Sequence, residues 1–167
     1  MLREITTTLV LIFALPVAAG PYEDCAQEDH KALRIQGCST IIAAATETAQ
    51  NLAAAHNNRG NAYDDQSEPA RAIADYDEAI KLEPSASAYF NRGLAYRHRG
   101  EYERAIADYD KALEIDPVDV DSYNNRAEVY EAMGKLDDAI ADYRKILTVN
   151  PSHTGALVGI RRITHAP

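Results

Sequence analysis

The chain has 167 residues and a formal net charge of −9. This is enough for one domain. The acidic balance argues against a phosphate-binding surface, because nucleic-acid binders carry a basic patch and the longest basic run here is the pair Arg161 and Arg162.

Met1 to Gly20 reads MLREITTTLVLIFALPVAAG. Arg3 supplies charge, Leu9 to Leu15 a short apolar core, Pro16 a break, and Val17-Ala18-Ala19 the small residues of a cleavage site. That is the layout of a secretory signal peptide, so residues 1–19 are expected to be removed and the protein exported, periplasmic or secreted. The apolar stretch is too short to span a bilayer, which needs about 20 residues. No membrane span is expected after cleavage.

Cys25 and Cys38 are the only cysteines. An even count in an exported chain suggests a disulfide. It would close a loop of 38 − 25 + 1 = 14 residues, worth about 3 kcal/mol in the chain-entropy model. Two free thiols are the alternative. Between and beyond them HKALRIQGCSTIIAAAT is amphipathic, with Leu33, Ile35, Ile41 and Ile42 apolar. The histidines His30, His56, His98, His153 and His165 are scattered without ligand spacing, and no metal or cofactor is expected.

The central chain repeats itself. NNRGNAY, NRGLAY and NNRAEVY place Gly60, Gly93 and Ala127 at spacings of 93 − 60 = 33 and 127 − 93 = 34. A period in this range marks a repeat architecture. Apolar residues recur at helical spacing, as in Ala105, Ile106, Tyr109, Ala112 and Leu113. Each unit closes on a proline, Pro84, Pro117 or Pro151, which ends a helix because it lacks the N–H and clashes with the preceding turn.

Further residues hold fixed places in all three units. They are the aromatics Tyr63, Tyr96 and Tyr130, the small residues Ala72, Ala105 and Ala139, and the bulky Tyr76, Tyr109 and Tyr143. With the small residues and prolines above, this pattern resembles the tetratricopeptide repeat (TPR). The departures are small. Ser67 stands where the other turns have Gly100 and Gly134, Pro69 follows it, and the loop after Pro84 is one residue short.

The resemblance implies an all-α fold, a right-handed solenoid of antiparallel helix pairs. Full repeats would occupy 53–85, 86–119 and 120–153. Residues 20–52 would form a helical cap, a degenerate repeat stapled by the disulfide. Residues 154–167 would form a C-terminal capping helix, with Leu157 and Ile160 apolar and Arg161 in the place of the small residue. Its start is expected near Ser152, a good N-cap residue. A signal peptide, an early cysteine pair and NNRG-type repeats together look like small exported bacterial TPR proteins.

In this family the first helix of each repeat lines a concave groove. The expected groove residues are Asn57, Asn58 and Asn61, then Phe90, Asn91 and Arg97, then Asn124, Asn125 and Glu128. Asn58, Asn91 and Asn125 share one position, although asparagine is a poor helix former. A side-chain amide both donates and accepts, so it can bridge the backbone of an extended peptide, and a similar asparagine ladder does so in the TPR superhelix of O-GlcNAc transferase. A structural role for these amides, bonding to neighbouring helices, stands beside the ligand role. Arg59, Arg92 and Arg126 each precede Asp75, Asp108 and Asp142 by 16 residues (75 − 59 = 16), which suggests ion pairs between paired helices.

Chaperone-binding TPRs grip a C-terminal carboxylate with lysine, arginine and asparagine. The matching positions here are Asn57, Asn61, Asn91, Asp121 and Asn125. The cations are missing, so a neutral or basic segment fits better. No nucleophile–base pair, glycine-rich phosphate loop or metal cluster is present to suggest an enzyme. The expected function is non-catalytic: an exported adaptor or scaffold binding an extended segment of another protein. A self-associating structural protein of the cell envelope is the alternative, and a homo-oligomer is open.

Overall fold

The first helix of each central pair starts on a side-chain oxygen. Thr48 accepts from the Asn51 amide at 3.2 Å, Ser85 from Ala88 at 3.3 Å, and Asp119 from Ser122 at 3.2 Å. Each bond satisfies one of the donors a helix start leaves unpaired. The computed structural model describes residues 20–44 and 46–165. The expected signal segment, residues 1–19, lies outside the described residues, as do the last residues of the capping segment.

All regular structure among the described residues is α-helical. The elements are α1 (Pro21–Cys25), α2 (Lys31–Ala43), α3 (Ala49–Asp64), α4 (Pro69–Leu82), α5 (Ala86–His98), α6 (Tyr102–Ile115), α7 (Val120–Ala132), α8 (Leu136–Val149) and α9 (Thr154–Thr164). Helices next to one another in sequence pack on one another, most extensively within the pairs α3–α4, α5–α6 and α7–α8. Each pair then stacks on the next, so the core is a row of linked clusters rather than one centre.

In the first two repeat pairs close approach requires glycine. A Cβ on Gly60 would lie 2.6 Å from the Tyr76 ring, and one on Gly93 would lie 2.7 Å from the Tyr109 ring. The third pair solves the problem differently. Ala127 carries a methyl and shares a buried cluster with Tyr143, whose ring also abuts Gly159 of α9, where a Cβ would meet it at 2.6 Å. The small residues that α9 packs inward are Ala156 and Gly159, the latter two positions before Arg161. The cap of α9 is His153, whose Nδ1 accepts from the Ala156 amide at 3.1 Å. Ser152 bonds Asn150 instead, so the helix begins slightly later than the sequence suggests.

The turn between α5 and α6 contains Gly100 and that between α7 and α8 contains Gly134, both at φ 73°. The first pair places Ser67 in the same left-handed region, at φ 61°. At the N-terminal end Cys25 and Cys38 form a disulfide with a Cα separation of 4.6 Å. It joins α1 to α2 beside Gly37, where a Cβ would meet the Cys25 nitrogen at 2.6 Å.

The expected ion pairs are present. Arg59 holds Asp75 through two bonds of 2.8 and 2.7 Å. Arg92 holds Asp108 at the same distances, and Arg126 holds Asp142 at 2.8 and 2.6 Å. Each arginine also reaches back one unit. Arg92 bonds Asp77 at 2.6 Å, Arg126 bonds Asp110, and Arg59, with only the cap behind it, bonds Ser39 at 3.0 Å.

Candidate peptide-binding groove

The expected groove residues fall on α3, α5 and α7, the first helices of the three pairs. All are partly exposed. Hydrogen bonds tie them across the repeats. Asn91 donates to Asn57 at 3.1 Å. Arg97 donates to Asn125 at 2.5 Å and pairs with Glu128 at 2.6 Å. Asn124 donates to Glu128 at 2.9 Å. Phe90 leans on the core, its ring centroid 6.0 Å from that of Tyr109.

The three equivalent asparagines are not used alike. Asn125 is engaged at both ends, since its Nδ2 also donates to the Asp121 carbonyl at 2.9 Å. Asn91 donates through Nδ2 alone, and the Asn58 side chain makes no hydrogen bond among the described residues. Asn58 lines a hollow with Asn57, Gln50, Glu83 and Ser87.

A larger cavity of about 370 Å³ opens between the cap and the first two repeats. Its walls include Glu28, Arg34, Asn61, Asp64, Asn91 and Leu94. Tyr76 also reaches it and donates from its hydroxyl to Asn61 Oδ1 at 2.8 Å. Burial, with Asp64 and Asp65 nearby, pushes that hydroxyl well above the ordinary tyrosine range, so it remains a donor. Glu28, Arg34 and Leu94 were not among the expected groove residues. The cap residues carry no repeat signature, and Leu94 reads in sequence as ordinary core.

Ion pairing ties the last helix to α7. Arg162 of α9 holds Glu131 at 2.6 Å, and Tyr143 donates to the same carboxylate at 2.6 Å. Arg162 thus has a specific partner in Glu131. Among the described residues there is no grouping of side chains that could hold a metal ion, and no helix is long and apolar enough to cross a membrane.

Profiles of the tetratricopeptide repeat match residues 57–120 and 120–153, together 153 − 57 + 1 = 97 of the 167 residues. The chain belongs to the tetratricopeptide repeat family. Solved TPR structures are similar over most of it. The Arabidopsis OM64 TPR domain is 29% identical with a TM-score of 0.66, covering 70% of this chain and 97% of that domain. MamA is 25% identical with a TM-score of 0.71, covering 80% of this chain and 76% of MamA. The second TPR domain of human RPAP3, solved in complex with an HSP70 peptide, is 26% identical with a TM-score of 0.63, covering 66% of this chain and 93% of that domain. No relative among curated proteins matches the sequence.

Within this TPR frame the groove cations are already committed. Arg34 pairs with Asp65 at 3.7 Å, Arg97 with Glu128, and Arg162 with Glu131. The expected clamp positions Asn57, Asp121 and Asn125 carry no cation.

Proposed function

We propose that this protein is an exported, non-catalytic adaptor that holds an extended segment of a partner protein along the face built by α3, α5 and α7. The observation that carries the reading is the recurrence of a partly exposed amide, Asn58, Asn91 and Asn125, at one repeat position of three consecutive stacked helices. The Asn58 side chain, making no hydrogen bond among the described residues, and the Oδ1 of Asn91 are available to main-chain donors and acceptors of an extended strand. The RPAP3 domain, similar in fold, holds a peptide. Export is supported by the layout of residues 1–19 and by the Cys25–Cys38 disulfide, since such bonds persist in oxidising compartments.

The segment differs in chemistry from an acidic chaperone tail. The groove offers no uncommitted arginine or lysine at the clamp positions, and Asp121 would repel a carboxylate. Affinity capture from envelope or culture supernatant tests the reading, with the protein and its Asn58→Ala/Asn91→Ala/Asn125→Ala variant side by side. A protein captured by the first and lost with the second is the expected result. Equal capture by both would move the interaction off the groove.

A further inference from the structure

We propose that the cavity between the disulfide-bonded cap and the first two repeats receives a lysine or arginine side chain of the bound segment. This rests on the groove reading above and adds the chemistry of one residue of the partner.

The first ground is charge. Three carboxylates, Glu28, Asp64 and Asp65, face the cavity; Arg34 is the one cation in its lining, and the Lys31 ammonium donates to the Asp65 main-chain carbonyl at 2.5 Å beside it. Arg34 is spent. Its side chain is 9% exposed, it pairs with Asp65 at 3.7 Å, and it donates to the Gln27 carbonyl. Glu28 has no ion-pair partner among the described residues. Asp64 faces only the exposed His98, at 3.4 Å. Two carboxylates are therefore left to meet an incoming cation.

The second ground is shape. A cavity of about 370 Å³ lies at the small end of ligand-sized clefts. Leu94 and the Tyr76 ring give apolar surface for a methylene stem, which long cationic side chains need beneath their charged heads. The amide oxygens of Asn61 and Asn91 add acceptors near the carboxylates. Asn61 already accepts from Tyr76, which fixes its amide orientation and leaves a second lone pair. The carboxylates come from the loop after α1 and from the end of α3. A spread of this kind suits a guanidinium or ammonium on a stem better than a compact metal ion, and no metal-holding group exists among the described residues.

The third ground is continuity. Asn91 belongs to the amide row and also borders this cavity, and its Nδ2 donates to the neighbouring Asn57. A strand lying on the row therefore passes the mouth of the cavity. The cap becomes part of the binding site, with Glu28 and Arg34 held in place by the disulfide and by the seat at Gly37.

The test titrates the isotope-labelled full chain with N-acetylarginine methylamide and N-acetyllysine methylamide, with N-acetylglutamine methylamide as control. The side-chain amide signals of Asn61 and Asn91 are followed. Saturable shifts with the two cationic probes only, weakened at least tenfold in Glu28→Gln/Asp64→Asn and reduced by added salt, are expected. Glu28→Gln alone, a change on an exposed side chain, should weaken binding by several-fold and keeps the test valid if the double variant folds poorly. No saturable shift, an equal shift with the glutamine probe, or indifference to Glu28→Gln would overturn the proposal. Partner capture with no probe binding would sink the subsite alone. Probe binding with capture unaffected by the asparagine variant would sink the groove reading alone.

Discussion

The guanidinium of Arg92 grips the carboxylate of Asp108 through two parallel hydrogen bonds, joining α5 to α6, with Asp108 almost wholly buried. A planar fork matched to a carboxylate is the strong form of ion pair. Removing one partner leaves the other charge buried and unanswered, which costs far more than losing an exposed pair. Asp108→Asn should destabilise by about 3 kcal/mol. In a double-mutant cycle with Arg92→Met the coupling should exceed the ~0.5 kcal/mol of an exposed pair. Urea midpoints of the four proteins give the answer.

Three tyrosines at one repeat position differ in what their hydroxyls do. Tyr76 donates to Asn61 and Tyr143 to Glu131, while the buried Tyr109 hydroxyl has no hydrogen-bond partner among the described residues. Leu94 stands where the first unit has Asn61. Tyr76→Phe should therefore cost about 1 kcal/mol, whereas Tyr109→Phe should be neutral or stabilising by up to about 1 kcal/mol. Thermal midpoints that moved equally in the two variants would contradict this.

Asp75 makes stability depend on acid. Burial alone would raise its carboxyl, but hydrogen bonds and charge from Arg59 and His56 outweigh burial and hold it below the usual range. The folded protein thus binds this proton less readily than the unfolded chain. Its contribution is full above the unfolded value, near 4, and is lost as pH falls through the lower folded value. Asp75→Asn should be less stable at neutral pH, and the gap to the natural protein should narrow on acidification. Denaturation midpoints followed from neutral pH to pH ~2 check the sign.

Ser67 sits at φ 61° where the equivalent turns have glycine. A side chain in this region costs roughly 1–2 kcal/mol, part of which glycine returns as greater freedom of the unfolded chain. Ser67→Gly should stabilise by about 0.5–1 kcal/mol, and Gly100→Ser should destabilise by a similar amount. A melting comparison in which both substitutions lowered the midpoint would refute the strain.

The pairing within repeats was legible because it is local in the repeat. An offset of 16 residues recurs three times, and the structure joins Arg59–Asp75, Arg92–Asp108 and Arg126–Asp142 accordingly. The reach of Arg92 to Asp77 and of Arg126 to Asp110 was not read, because it depends on how one pair stacks on the last. The same limit applies to the groove. The asparagines could be assigned to helices, but whether Asn91 would meet Asn57, or Arg97 would take Asn125, follows from the stagger between repeats. Gly159 escaped notice because strict register points to Arg161. The Tyr143 ring nonetheless lies against the glycine two residues earlier.

The arginines that reach backward have a mechanical consequence. Each fastens three helices at once, so a unit cannot peel away without breaking bonds in the unit before it. Stacked repeats behave as a one-dimensional chain of coupled neighbours, in which stronger coupling lengthens the block that melts together. Pulled from its ends, this molecule should therefore give way in few large steps rather than one hairpin at a time, and the surface that spans α3, α5 and α7 should persist or vanish as a unit.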